Sequence, residues 1–114
     1  MGVSTNAILV WGFDLGTDLP DSVIERLDDF EKYDALVVIQ NRIGASLISH
    51  CHPDEQMWIV GFTKTIMLAR RGYPETIKSF TVDAVRGQAA LDALAHELGI
   101  KPKPGRWLLA SEWS

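Results

Sequence analysis

Ile43-Gly-Ala-Ser-Leu-Ile-Ser-His-Cys-His-Pro-Asp-Glu-Gln-Met-Trp-Ile-Val-Gly61 is the stretch on which the fold turns. Ala45, Leu47 and Ser49 alternate with Ser46, Ile48 and His50, the two-residue period of a strand with unlike faces. Pro53-Asp54-Glu55 breaks that alternation with turn formers, and Met57-Trp-Ile-Val-Gly-Phe62 returns as a mostly apolar strand. The pattern predicts an antiparallel hairpin with a loop of about four residues.

Working toward the start, Ala7-Ile-Leu-Val-Trp-Gly-Phe13 is an apolar run of strand formers, read as a strand buried on both faces. Asp14 to Pro20 supplies loop residues. Ser22-Val-Ile-Glu25 fits a capping box, in which hydroxyl and carboxylate satisfy the first free amides of a helix. Val23, Leu27 and Phe30 would continue that helix on one face. Ala35-Leu-Val-Val-Ile39 stays open between two readings. Its β-branched residues favour a strand, whereas the spacing of Phe30, Tyr33, Val37 and Gln40 carries a helical stripe onward.

Toward the end, Thr65-Ile-Met-Leu-Ala-Arg70 extends the returning strand or forms an edge strand, closed by Arg71-Gly72 and Pro74. Asp83 is placed to cap a helix, with Ala84, Gln88, Leu91, Leu94, Ala95 and Leu98 along one face. Gly99 takes the left-handed stop position and Ile100 closes the accompanying apolar contact. Pro102 and Pro104 prevent continuation. Trp107 to Trp113 reads as a last strand, with Trp107, Leu109, Ser111 and Trp113 on one face as an anchor of the core or of a dimer interface. The expected fold is a single α+β domain over residues 1–114. Its sheet is mixed and mostly antiparallel, of four or five strands, with two or three helices on one face.

Composition narrows the function classes. With 114 residues, 46% of them hydrophobic and 23% charged, the chain has the make-up of one globular domain. No apolar run approaches the roughly 20 residues that cross a bilayer, so no membrane role is expected. A single cysteine excludes an internal disulfide and fits a reducing compartment, which points to the cytoplasm. The net charge of −4 argues against a general grip on nucleic acid, which rests on neutralising phosphates. Arg70-Arg71 and Lys101 to Arg106 are the local basic exceptions.

His50, Cys51, His52, Asp54 and Glu55 concentrate the reactive side chains around the hairpin turn. His50, His52 and Asp54, with His96 from the last helix, are the candidate metal ligands, because a zinc site needs three or four such donors. Their spacing demands no metal, and local hydrogen bonding near a turn accounts for them. Cys51 lacks an obvious base, since neighbours along a strand point to the opposite side, and a small buried hydrophobe is the simpler reading. Gly12-Phe-Asp-Leu-Gly16 lacks the further glycine or the Gly-Lys-Ser/Thr ending of a phosphate loop. Asp28, Asp29, Glu31 and Asp34 read as a solvated acidic helix face. No catalytic residue and no cofactor is implied. Trp58, Arg70, Arg71, Trp107 and Trp113 are the candidate interaction residues, being of types enriched at protein interfaces.

Several segments in order resemble small proteins encoded by tailed phages of actinobacteria, of the mycobacteriophage and streptomyces-phage type. They are Ala7 to Gly16, Arg42-Ile-Gly44 through Ser49-His-Cys51, Asp54 with Met57-Trp58, Ala69-Arg-Arg-Gly72 with Pro74, Leu98-Gly-Ile100, and Gly105 to Trp113. Together they span about half the chain. In that family the stretch before Arg42 is charged and alanine-rich, which implies a helix for Ala35 to Asn41, although Leu36-Val-Val-Ile39 departs from the pattern. The region after Asp14-Leu-Gly16 is usually longer and more aromatic than here. The resemblance implies a cytoplasmic accessory protein of an infected host cell and transfers no catalytic residue. The expected role is non-enzymatic binding of a host or phage protein, as a small homo-oligomer. The rival is a small metal-dependent or small-molecule enzyme built on His50, His52 and Asp54.

Overall fold

The computed structural model describes residues 5–52, 54–77 and 81–113. Strand β1 (Thr5–Gly16) runs through the middle of the sheet. Along one side it pairs antiparallel with β5 (Arg106–Trp113), from Thr5 opposite Trp113 to Gly12 opposite Arg106. Its other side is shared. β4 (Met67–Arg70) covers Asn6 to Leu9, and β3 (Glu55–Phe62) covers Gly12 to Gly16. β2 (Ala45–His52) forms the expected hairpin with β3 and touches β5 in parallel, Cys51 opposite Glu112. The pairings β1–β3, β3–β2, β2–β5 and β5–β1 therefore close into a ring, with β4 outside it. This is a mixed, mostly antiparallel five-stranded sheet in an α+β fold.

A 3₁₀ turn at Thr63–Thr65 separates β3 from β4, so of the expected strand Thr65 to Arg70 only Met67–Arg70 is strand, and it forms an edge. The interruption leaves the backbone N–H of Trp11 without a ladder partner. The buried Thr65 hydroxyl takes that place, accepting from Trp11 N at 3.0 Å and donating to Phe62 O at 2.7 Å. A Thr65→Val chain keeps the shape but strands both groups. It is expected to lose about 1–3 kcal/mol of stability, read as a lower urea midpoint, with Thr65→Ser retaining most of it.

The sheet has two apolar sides. Ile8 and Val10 of β1 and Ile59 of β3 are buried together with Ile48 of β2 and with Leu108 and Ala110 of β5, so each strand of the ring contributes to its interior. The opposite side carries the larger core: Trp11, Phe13, Val60 and Phe62 pack beneath Leu36, Leu91, Leu94 and Leu98 of the helices. All three helices lie on that side.

The helices repeat the expected set with corrected ends. α1 (Asp21–Asp28) starts one residue before Ser22, with Pro20 at its N-cap and no side-chain cap, so Ser22 and Glu25 form no capping box. Proline suits an entry here because its carbonyl accepts from Val23 and Ile24 while it has no amide to leave unpaired. Asp29 then ends α1 in extended backbone and caps α2 (Phe30–Ile43), accepting from Lys32 N at 3.0 Å. That break turns Phe30 out of the expected stripe, to 82% exposure. Ala35–Ile39 is helix, with Leu36 buried, and the left-handed Gly44 stops it. In α3 (Ala84–Leu98) the expected caps hold: the Asp83 side chain accepts from Arg86 N, Gly99 is left-handed, and Ile100 N bonds Ala95 O.

Two further expectations change. His52 pairs directly with Glu55, so the hairpin loop is two residues rather than four; Pro53 lies outside the described residues. On β5 the odd-numbered face is no core anchor throughout. Trp107 packs against the helix-side core, but Leu109 is 77% exposed and Ser111 is exposed. The Trp113 side chain lies outside the described residues.

Candidate functional site

At the hairpin tip the described side chains of His52 and Asp54 meet each other. His52 Nδ1 accepts from the backbone N–H of Asp54 at 3.1 Å and lies 3.6 Å from the Asp54 carboxylate, both side chains facing solvent. His50 sits opposite Met57, its Nε2 sheltered and without a hydrogen-bond partner among the described residues. Cys51 is half-buried with φ of 70°, a left-handed conformation uncommon outside glycine, so side-chain alternation does not run simply through it. His96 occupies the last turn of α3, exposed, where a helix favours positive charge. Among the described residues no three His, Cys, Asp or Glu side chains gather as a metal site.

Trp58, Arg70, Arg71 and Trp107 do not form one surface. Arg70, at the end of β4, holds its guanidinium 5.8 Å from the Tyr73 ring, and Arg71 follows in the exposed turn. In the other basic stretch, Lys103 Nζ donates to Asp14 O at 3.3 Å. Gln88 donates to Lys103 O and accepts from Gly105 N, which ties the connection between α3 and β5 to the helix. Trp107 and Trp58 each line a separate groove.

The first groove follows from the sheet outrunning its helices. Trp11 lies under α3, against Gly87. Ahead of Trp11 on the same face, Ala7 and Leu9 pair with Ala69 and Met67 on one side, and Leu9 pairs with Leu109 on the other. These side chains, with Trp107, make the apolar floor of a groove of about 590 Å3 walled by Glu75, Thr76 and Ile77. The exposed Leu68 and Ile77 add apolar surface around it.

The second groove, about 790 Å3, separates the α1–α2 corner from the hairpin. Trp58 and Ser49 form its floor, directly paired across β3 and β2, with Gln56 beside them. Tyr33, Asn41 and Asp28 face them from the helices. Gln40, also in the wall, is already engaged: its Oε1 accepts from Leu47 N at 2.7 Å and docks α2 onto β2. Sequence patterning did not single out this groove, because its walls come from elements far apart in the chain; Trp58 was its one expected member.

Among the described residues no helix is long and apolar enough to cross a membrane. No family model matches the chain, and neither the curated proteins nor the solved structures contain a match to it.

Proposed function

We propose that this chain is a non-enzymatic accessory protein of phage origin, acting in the host cytoplasm by binding a host or phage protein. The partner docks an apolar segment on the strip formed by Ala7, Leu9, Met67, Ala69 and Leu109. One observation carries this reading: Leu109, in the middle of a paired strand, is 77% exposed and continues an apolar floor lined by no residue of the described α-helices. Contiguous apolar surface of this kind on a small domain marks an interaction site more often than chance exposure does. Apolar residues at the centre with charged ones at the rim is the usual anatomy of such an interface, and here Lys64 and Glu75 stand at the edge of the groove. The phage setting rests on the ordered segments from Ala7 to Trp113 described above.

Leu109→Asp tests the assignment, since a surface change away from packed side chains leaves stability within about 0.5 kcal/mol. Tagged wild-type and variant chains are passed through lysate of infected actinobacterial cells and sized by light scattering. The wild type is expected to retain a defined protein that the variant loses at unchanged melting temperature. Equal retention by both chains, or a wild type that only self-associates through the strip, overturns the reading.

A further inference from the structure

We infer that the groove between the α1–α2 corner and the β2–β3 hairpin is a binding site for a small uncharged saccharide. Its volume, about 790 Å3, falls within the range of roughly 300–1,000 Å3 typical of small-molecule sites. The charge of its lining narrows the ligand. Among the described residues Asp28 is its only charged one, and no described Lys, Arg or His contributes. Phosphates and carboxylates, which proteins hold with guanidinium or ammonium groups, are therefore disfavoured.

The polar groups narrow it further. Tyr33, Asn41, Ser49 and Gln56 line the groove and make no side-chain hydrogen bond with another described residue. Gln40 and Ser46, by contrast, are already bonded within the protein, to Leu47 and Thr63. A wholly apolar ligand would cover the free hydroxyls and amides without replacing their water, which is unfavourable. A ligand that brings its own donors and acceptors satisfies them.

Their arrangement favours a sugar over a nucleobase. Ser49 and Gln56 come from the hairpin, while Tyr33 and Asn41 come from α2 on the opposite wall. A pyranose carries hydroxyls around its whole rim and so meets partners on both walls at once. A base also has polar atoms on several edges, but each is fixed as donor or acceptor, whereas every sugar hydroxyl does both and so meets amides and hydroxyls in either sense. Trp58 and Tyr33 supply aromatic surface for the apolar C–H face of a sugar ring, each with a polar tip of its own. The inference does not depend on the apolar strip, which lies on β4, β1 and β5.

Titration of the full chain, followed by amide and indole resonances in nitrogen–proton NMR spectra, tests it. The probes are the methyl glycosides of glucose, galactose, mannose and N-acetylglucosamine, with adenosine and glucose 1-phosphate as comparisons. At least one neutral glycoside is expected to give saturable millimolar binding that shifts the Trp58 indole, Ser49, Gln56 and Asn41. Glucose 1-phosphate should bind more weakly than the matching glycoside because of Asp28. Gln56→Ala and Asn41→Ala, both at exposed positions, should each weaken binding about tenfold with the rest of the spectrum unchanged. Trp58→Ala should abolish it, and the two exposed variants keep the test open if that chain unfolds. Absence of saturable shifts with every glycoside, binding of adenosine alone, or undiminished binding in both exposed variants overturns the inference.

Discussion

A Gly12→Val chain is expected not to fold at ordinary temperature, and Gly12→Ala to lose about 3 kcal/mol or more. A side chain at Gly12 would project onto the carbonyl oxygen of Val60, with Gly61 Cα only 2.8 Å from the new Cβ. Both obstacles are backbone, held by the β1–β3 ladder in which Gly12 faces Gly61. No rotamer change relieves the clash, so the strands must part. Gly12 is also opposite Arg106 on its other side, so β1 cannot move away without disturbing β5. The ring closes at this point and tolerates no Cβ. With total stability of about 5–15 kcal/mol for a domain, the alanine change consumes roughly a fifth or more, and the bulkier valine costs more still. Far-ultraviolet circular dichroism and a urea titration check both; a Gly12→Ala chain with an unchanged midpoint would contradict this account of the closure.

Trp11→Ala is expected to lose about 3–5 kcal/mol, as removal of a buried indole generally does. Trp11 is 7% exposed and lies between two glycines. A Cβ on Gly87 of α3 would come within 2.7 Å of its Cζ3, and one on Gly105 within 2.6 Å of its Cζ2. The indole therefore fills the space where α3, the connection to β5 and β1 meet. Gln88 fixes that connection from the helix side, so the surroundings cannot collapse readily into the vacancy. Trp11→Phe should recover roughly half of the loss, since it restores the ring but not its full width. Urea midpoints at constant slope measure both changes. A Trp11→Ala chain as stable as the parent would mean the indole is not the wedge described.

The elements legible in the sequence were those fixed by their own residues. The caps of α3, Asp83 and Gly99, act on amides and carbonyls within a turn, so local pattern suffices. The β2–β3 hairpin was visible because one face of each strand is apolar and the turn residues lie between them. Where a local signal competed with a neighbour it misled. Ser22 and Glu25 have the right spacing for a capping box, but Pro20 starts the helix earlier. Asp29 looked like one more solvated acid, yet its carboxylate caps a second helix and turns Phe30 outward. The 3₁₀ turn at Thr63–Thr65 is held through Trp11, 54 positions away from Thr65, and no local pattern reports that bond. The same limit applied to the sites. His50, Cys51, His52 and Asp54 drew notice by reactivity and proximity along the chain. The two grooves arise from which strands outrun the helices and which wall faces which, and that is settled only by tertiary pairing.

The pairing of β1 with β5 has a consequence for how the chain reaches its native state. The first strand described and the last lie side by side along their whole common length. Bringing them together closes the longest loop between paired strands, a non-local contact of the kind that slows folding relative to helical bundles. During synthesis β1 emerges before β5, and the flank that β5 covers waits for it. One flank of this apolar strand thus lacks its ladder until β5 is made, a condition under which chaperone engagement matters.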